Sequence, residues 1–282
     1  MKKITKFWLI IATLFIFLGS ILFVVSLSLI DWDFSKLETV EYETNTYTFN
    51  ESYENIAIDT LSTDIVFKKS SNSETKVDCL EMTKLKNSVS VVNNALTIKH
   101  EDSKNHLNFI GINTKSPRIT IYLPSNNSYT FKIESTTGDI TFNDSFTFDE
   151  LNIELTTGDI FINNITCNNM NIYITTGDVV INNITCNDLT INGTASDIKI
   201  NNSTLKGKLN IKTTTGDVEL LNFDASEIYI KASTGDVEAV LLSEKVFDVK
   251  TTTGDINIPK TNSGGICEIT TTTGDVEIII KR

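Results

Sequence analysis

From Phe131 onward, apolar and polar residues alternate in short runs that break at a recurring Thr-Thr-Gly-Asp or a close variant. The glycines are Gly138, Gly158, Gly177, Gly216, Gly235, Gly254 and Gly274, and Ser196 fills the vacant place between Gly177 and Gly216. Successive spacings are 19 or 20 residues. Five residues before this position stand Ile133, Ile153, Ile172, Ile191, Ile211, Ile230, Val249 and Ile269. Two after it stand Ile140, Ile160, Val179, Ile198, Val218, Val237, Ile256 and Val276. The residues between these columns are mostly polar. Alternation with a period of two, on both sides of a turn, marks strands with one buried face.

A β-branched column that returns every 19–20 residues predicts one coil of a solenoid per repeat. The expected fold is therefore all-β, a parallel β-solenoid over residues 131–282. Coils about 4.8 Å apart would bury a continuous Ile/Val core that no single coil buries alone. The turn glycine is expected to take a positive φ, so Ser196 should carry strain or a different turn. Asn163-Asn164, Asn182-Asn183 and Asn201-Asn202 recur at the same spacing and read as stacked turn residues.

Upstream the pattern weakens. Ile56, Ile58, Ile65 and Phe67 match the core columns, with Asp64 in the Asp place and Thr63 in the Gly place, which predicts a degenerate coil. Further strands are expected at 76–80, 88–92, 95–99 and 118–123, with a hairpin turn at Asn93-Asn94. Residues 51–130 are read as an N-terminal cap region and 31–50 as a polar stalk. At the other end Val276–Ile280 is expected to be the last coil. An uncapped coil invites self-association or partner docking.

Residues 7–30 form an uncharged, apolar run preceded by Lys2, Lys3 and Lys6 and followed by Asp31 and Asp33. Twenty-four helical residues reach roughly 36 Å, enough for one transmembrane helix. The run exceeds a signal-peptide core and lacks a small-x-small exit, so an uncleaved anchor is expected. The lysines put residues 1–6 in the cytoplasm and the rest of the chain outside the cell membrane. Trp8 and Trp32 fall at its two ends. A net charge of -12 argues against nucleic-acid binding, which needs a basic surface.

Candidate chemistry is sparse. An Asp follows every repeat position: Asp139, Asp159, Asp178, Asp197, Asp217, Asp236, Asp255 and Asp275. Carboxylates about 4.8 Å apart repel by about 1 kcal/mol in water. Either local amides and Thr hydroxyls satisfy them, or they form a calcium stripe; the spacing does not match the calcium-binding Gly-Gly-x-Gly-x-Asp repeat. No cofactor is implied. Residues 131–282 run without insertions, so no long loop walls a catalytic cleft, and an enzyme is not expected. Cys167 and Cys186 occupy equivalent places in successive coils. Parallel stacked side chains point alongside one another, so two free thiols are expected, with Cys267 a core residue.

The lysine-flanked anchor followed by repeated Ser/Thr-Thr-Gly-Asp-Ile/Val strands resembles the bacterial family of adhesin-like proteins called the Toastrack domain, over about residues 53–282. The resemblance implies a surface or envelope-stress protein and carries over no catalytic residues. The resulting expectation is a membrane-anchored extracellular module for adhesion, scaffolding or binding in the bacterial cell envelope. Protein or glycan partners would be expected there. The alternative is an accessory sensor of envelope stress working through partner membrane proteins.

Overall fold

The computed structural model describes residues 3–33, 40–101, 115–124 and 128–281. The remaining residues, among them Lys2, His106 and Arg282, lie outside the described residues. A helix over Lys3–Leu29 includes an apolar stretch, Ile4–Leu29, long enough to cross a membrane. It and the solenoid are separate units.

The repeat folds as a parallel β-solenoid in which each coil is named here by its turn aspartate. The Asp159 coil comprises strands Phe146–Thr157 and Ile160–Asn163, and the Asp178 coil Ile165–Thr176 and Val179–Asn182. They pair in parallel and in register, Ile153 on Ile172 and Ile160 on Val179. Ile172 is followed by Ile191, Ile211 and Ile230. All four of these side chains are buried. One inward face per strand thus becomes one uninterrupted apolar column, as the alternation requires.

The first coil in the chain, Asp64, is formed by Asn55–Ser62 and Asp64–Lys69. It is a full member of the stack and pairs with the Asp139 coil through Ile58 on Ile133 and Ile65 on Ile140. Its other face receives strands Ala95–His100 and Arg118–Leu123, again parallel. Antiparallel strands then close this end. Asn87–Val92 turns back on Ala95–His100 through Asn93 and Asn94, both at positive φ, and Thr75–Met82 runs against Arg118–Leu123. Tyr42–Phe49, expected in the polar stalk, is instead a strand that pairs with Thr75–Met82. Its alternating partly buried positions fit an edge strand half-covered by the cap.

The other end corrects the expected order of coils. The Asp275 coil, Gly265–Thr273 with Val276–Ile280, is not the last in space. It is inserted between the Asp236 coil, Glu227–Thr234 with Val237–Leu241, and the Asp255 coil, Lys245–Thr253 with Ile256–Asn257. Ile269 therefore lies between Ile230 and Val249. Two glycines permit this order. Gly264 and Gly265 thread the returning chain past the carbonyls of Glu244 on one side and Ser226 on the other, where a Cβ at either position would collide. The outermost coil on this side is thus the Asp255 coil, and within Val276–Ile280 the residues Val276 and Glu277 are paired on both sides.

Cys167 and Cys186 also depart from expectation. They form a disulfide with a Cα–Cα separation of 4.8 Å. The short strand Thr185–Cys186 lies at a coil corner. There side chains are not held perpendicular to a flat sheet, so stacked sulfurs can converge. Cys79 and Cys267 are free and buried, and burial pushes each thiol up to about 12. Ser196 turns without a positive φ, so the different-turn alternative holds.

Two expectations follow. Ile172→Asp places an unpaired carboxylate in the sealed column and should cost several kcal/mol, whereas Tyr173→Asp, on the exposed face, should cost less than about 1 kcal/mol. Thermal unfolding of the two variants checks the register. Alkylation of the unfolded, unreduced chain, read by mass, should label Cys79 and Cys267 and leave Cys167 and Cys186 untouched.

Candidate functional site

The aspartate column forms a ladder across the turns. The backbone N–H of Asp159 donates to Asp139 Oδ1 at 2.9 Å, Asp178 to Asp159 at 2.8 Å, and Asp197 to Asp178 at 3.3 Å. Asp217 then donates to Asp197, Asp236 to Asp217, Asp275 to Asp236 and Asp255 to Asp275. Asp64 heads the ladder, accepting from Asp139 at 3.2 Å. The donors are amides of the next coil, not of the residue's own turn as expected. A hydrogen bond to a charged acceptor contributes about 1.5–3 kcal/mol, which outweighs the roughly 1 kcal/mol repulsion between exposed neighbours. The turn glycines serve the same contact: each has a positive φ, and a Cβ would strike the backbone of the coil on which it stacks. Among the described residues, no group of three or more His, Cys, Asp or Glu is placed to hold a metal ion.

The asparagines form a second ladder, in which the Asn182 side-chain amide donates to Asn163 Oδ1 and that of Asn201 to Asn182, each at 2.8 Å. Asn164, Asn183, Asn202 and Asn222 hold the adjoining turn at positive φ, as short side chains tolerant of that region do. Both ladders tie neighbouring coils in register.

The outward face of the strands leading into the turns is different. The residue four before each turn position forms a row along the stack: Asp59, Glu134, Glu154, Tyr173, Asn192, Lys212, Lys231, Thr270 and Lys250. Three carboxylates, Asp59, Glu134 and Glu154, lie on one side of Tyr173 and Asn192, and the ammonium groups of Lys212, Lys231 and Lys250 on the other; Lys99 adjoins Asp59. Tyr173 is 49% exposed. Beside this row run the hydroxyls of Thr136, Thr156, Thr175, Thr194 and Thr214, and with the row from Asp59 to Lys212 they line a furrow of about 550 Å³. Gly193 interrupts the side chains along its floor. A second depression of about 310 Å³ continues it past Asn210, Tyr229 and Lys231, sharing Asn192 and Lys212. Lys132 pairs with Glu134 at 2.6 Å, and this hydrogen bond holds the ammonium pKa above its usual value.

Sequence reasoning missed this row. The columns that define the core were read, and the polar positions between them were passed over as solvent-facing. The signal was present: aligned four residues before the turn, Glu, Glu, Tyr, Asn, Lys, Lys is an ordered progression.

The domain is thus a parallel β-solenoid closed at one end by antiparallel strands, with satisfied turn ladders and a furrowed face. The Toastrack DUF4097 family matches residues 53–282, and the chain belongs to that family. Among solved structures it resembles a candidate adhesin from Bacteroides fragilis, with 17% identity, a TM-score of 0.51, and coverage of 84% of this chain and 97% of that one. It also resembles a candidate lipid-binding protein from Parabacteroides distasonis, with 11% identity, a TM-score of 0.50, and coverage of 85% and 97%. At these identities the likeness is one of fold. No protein in the curated set matches.

If the ladder is what satisfies the aspartates, Asp178→Asn, which keeps an acceptor, should melt near the native temperature. Asp178→Ala strands the Asp197 amide and should lose about 1–2 kcal/mol. Chelator should leave the melting temperature of the native chain unchanged.

Proposed function

We propose that this chain is a membrane-anchored extracellular binding module of a bacterial envelope, and that it works by binding and not by catalysis. In this reading the helix Lys3–Leu29 is the anchor. The lysines before the apolar run and Asp31 and Asp33 after it favour a cytoplasmic N-terminus.

The observation that carries the reading is the furrow. It crosses successive coils without interruption and is lined by hydroxyls, carboxylates, an amide and an ammonium group around one exposed aromatic ring. An extended carbohydrate polymer fits this chemistry. Its hydroxyls both donate and accept, matching the Thr, Asn and Glu groups, and its C–H face packs on a tyrosine ring. The polar lining is poorly suited to an acyl chain. The resemblance to a candidate adhesin agrees with a binding role.

The test is sedimentation of the full chain, in detergent, with insoluble bacterial cell-wall glycan. Tyr173→Ala and Glu154→Gln should each weaken binding about tenfold or more. Thr147→Ala, exposed and outside the furrow, should leave it unchanged. Absence of binding, or equal binding by all three variants, would overturn the assignment.

A further inference from the structure

The Asp255 coil leaves one end of the stack open. Lys245–Thr253 pairs on one side with Gly265–Thr273, and among the described residues no strand pairs with its other side. Its core-column residues are incompletely covered. Phe247 and Val249 are only half-buried, and Ile256 is 43% exposed, whereas the equivalent Ile228, Ile269 and Val237 are sealed. The returning chain touches this edge at its start, where the Thr261 hydroxyl donates to the Lys245 carbonyl. An edge of this kind is a template for another strand.

The direction of the backbone groups limits how that strand can pair. The Gly274 amide donates to the Thr253 carbonyl, so Thr253 faces the coil beneath it. The alternation breaks just before it, where Thr252 and Thr272 are not bridged, so upstream of the break Lys250, Asp248 and Val246 face inward along the stack. Lys245, Phe247 and Val249 then direct their N–H and C=O groups off the open end, as the Thr261 contact to the Lys245 carbonyl shows. In an antiparallel pair, residues that exchange both bonds stand opposite one another. Self-pairing about a two-fold axis therefore has few registers. An axis at Asp248 or Lys250 sets like charges together. An axis at Val249 sets Asp248 against Lys250 twice, Val246 against Thr252 twice, and Val249 against itself. It also lays Phe247 and Val249 on an apolar partner layer.

We propose that the Asp255 coil is a docking edge for a second copy of this chain, paired antiparallel about a two-fold axis at Val249. Within each copy Asp248 and Lys250 already pair at 2.9 Å while remaining 57% and 65% exposed. Both are free to exchange partners across the axis. The expected self-association of the terminal coil thereby moves from Val276–Ile280, whose coil is covered along Gly265–Thr273 by the Asp255 coil, to Lys245–Thr253. The cap end, where Tyr42–Phe49 joins the stack, lies away from the joint in each copy.

The charge pattern gives a test that stability effects cannot imitate. The full chain in detergent should self-associate in sedimentation. Asp248→Lys alone and Lys250→Asp alone should each weaken association about tenfold or more, because each sets like charges opposite one another twice. The two single variants mixed together should associate as the native chain does, and so should the double exchange Asp248→Lys with Lys250→Asp. Thermal unfolding of each variant checks that it is folded. A native chain that stays monomeric at about 1 mM, the weak limit of useful affinity, would overturn the proposal. So would single variants that associate as well as the native chain, or a mixture that gains nothing over its components.

Discussion

In-register parallel stacking is the constraint on which the rest of this molecule depends. A coil of 19–20 residues has too little apolar surface to hold itself together. Its inward Ile, Val, Leu and Phe side chains become a core only when the same positions of another coil lie about 4.8 Å away. Register then governs everything outside the core. It aligns each turn aspartate with the next amide, each Asn side chain with another Asn, and each furrow residue with its neighbours in the row. A slip of one residue would expose the column and break both ladders at once. The polar ladders therefore act as a check on a register that the apolar column makes favourable.

Much of this was legible in the chain itself. The columns through Ile153 and Ile160, the turn glycines, the Asn pairs and the Asn93-Asn94 hairpin all follow from periodicity and turn chemistry. What escaped was of two kinds. Alignment on the Gly-Asp position shows that two coils are equivalent but not that they are adjacent. The exchange of the Asp275 and Asp255 coils leaves every spacing intact. Its one local trace, Gly264-Gly265, acquires meaning only from the carbonyls of Glu244 and Ser226. Similarly, stacking alone suggested parallel, separate thiols at Cys167 and Cys186, and the bend at the coil corner decides otherwise. The furrow was hidden for another reason. Patterning distinguishes inside from outside, but it does not separate an outside position in solvent from one that lines a shared concavity.

The two ends of the stack are built by the same device. On one side the Asp64 coil lies between Ala95–His100 with Arg118–Leu123 and the Asp139 coil. On the other the Asp275 coil lies between the Asp236 and Asp255 coils. In both places the chain makes an outer coil and an inner one out of sequence order. The device differs in its finish. Antiparallel strands cover one end, whereas the other ends in a bare parallel edge whose apolar layer is only partly shielded. That asymmetry gives the solenoid one end suited to joining the remainder of the chain and one suited to contact.

The exchanged order has a consequence for how the chain is made. A polypeptide emerging from its N-terminus can add most of these coils as they appear, each on the one before. The Asp255 coil cannot follow that rule, because the surface it rests on is supplied by the residues after it. Until Gly265–Ile280 has emerged and inserted, Lys245–Asn257 lacks the strands it pairs with in the folded chain. Completion of this end therefore waits on Gly265–Ile280. A chain stalled or cut short near residue 260 would carry a finished solenoid as far as the Asp236 coil and an unpaired apolar tail, a ready substrate for quality-control proteases.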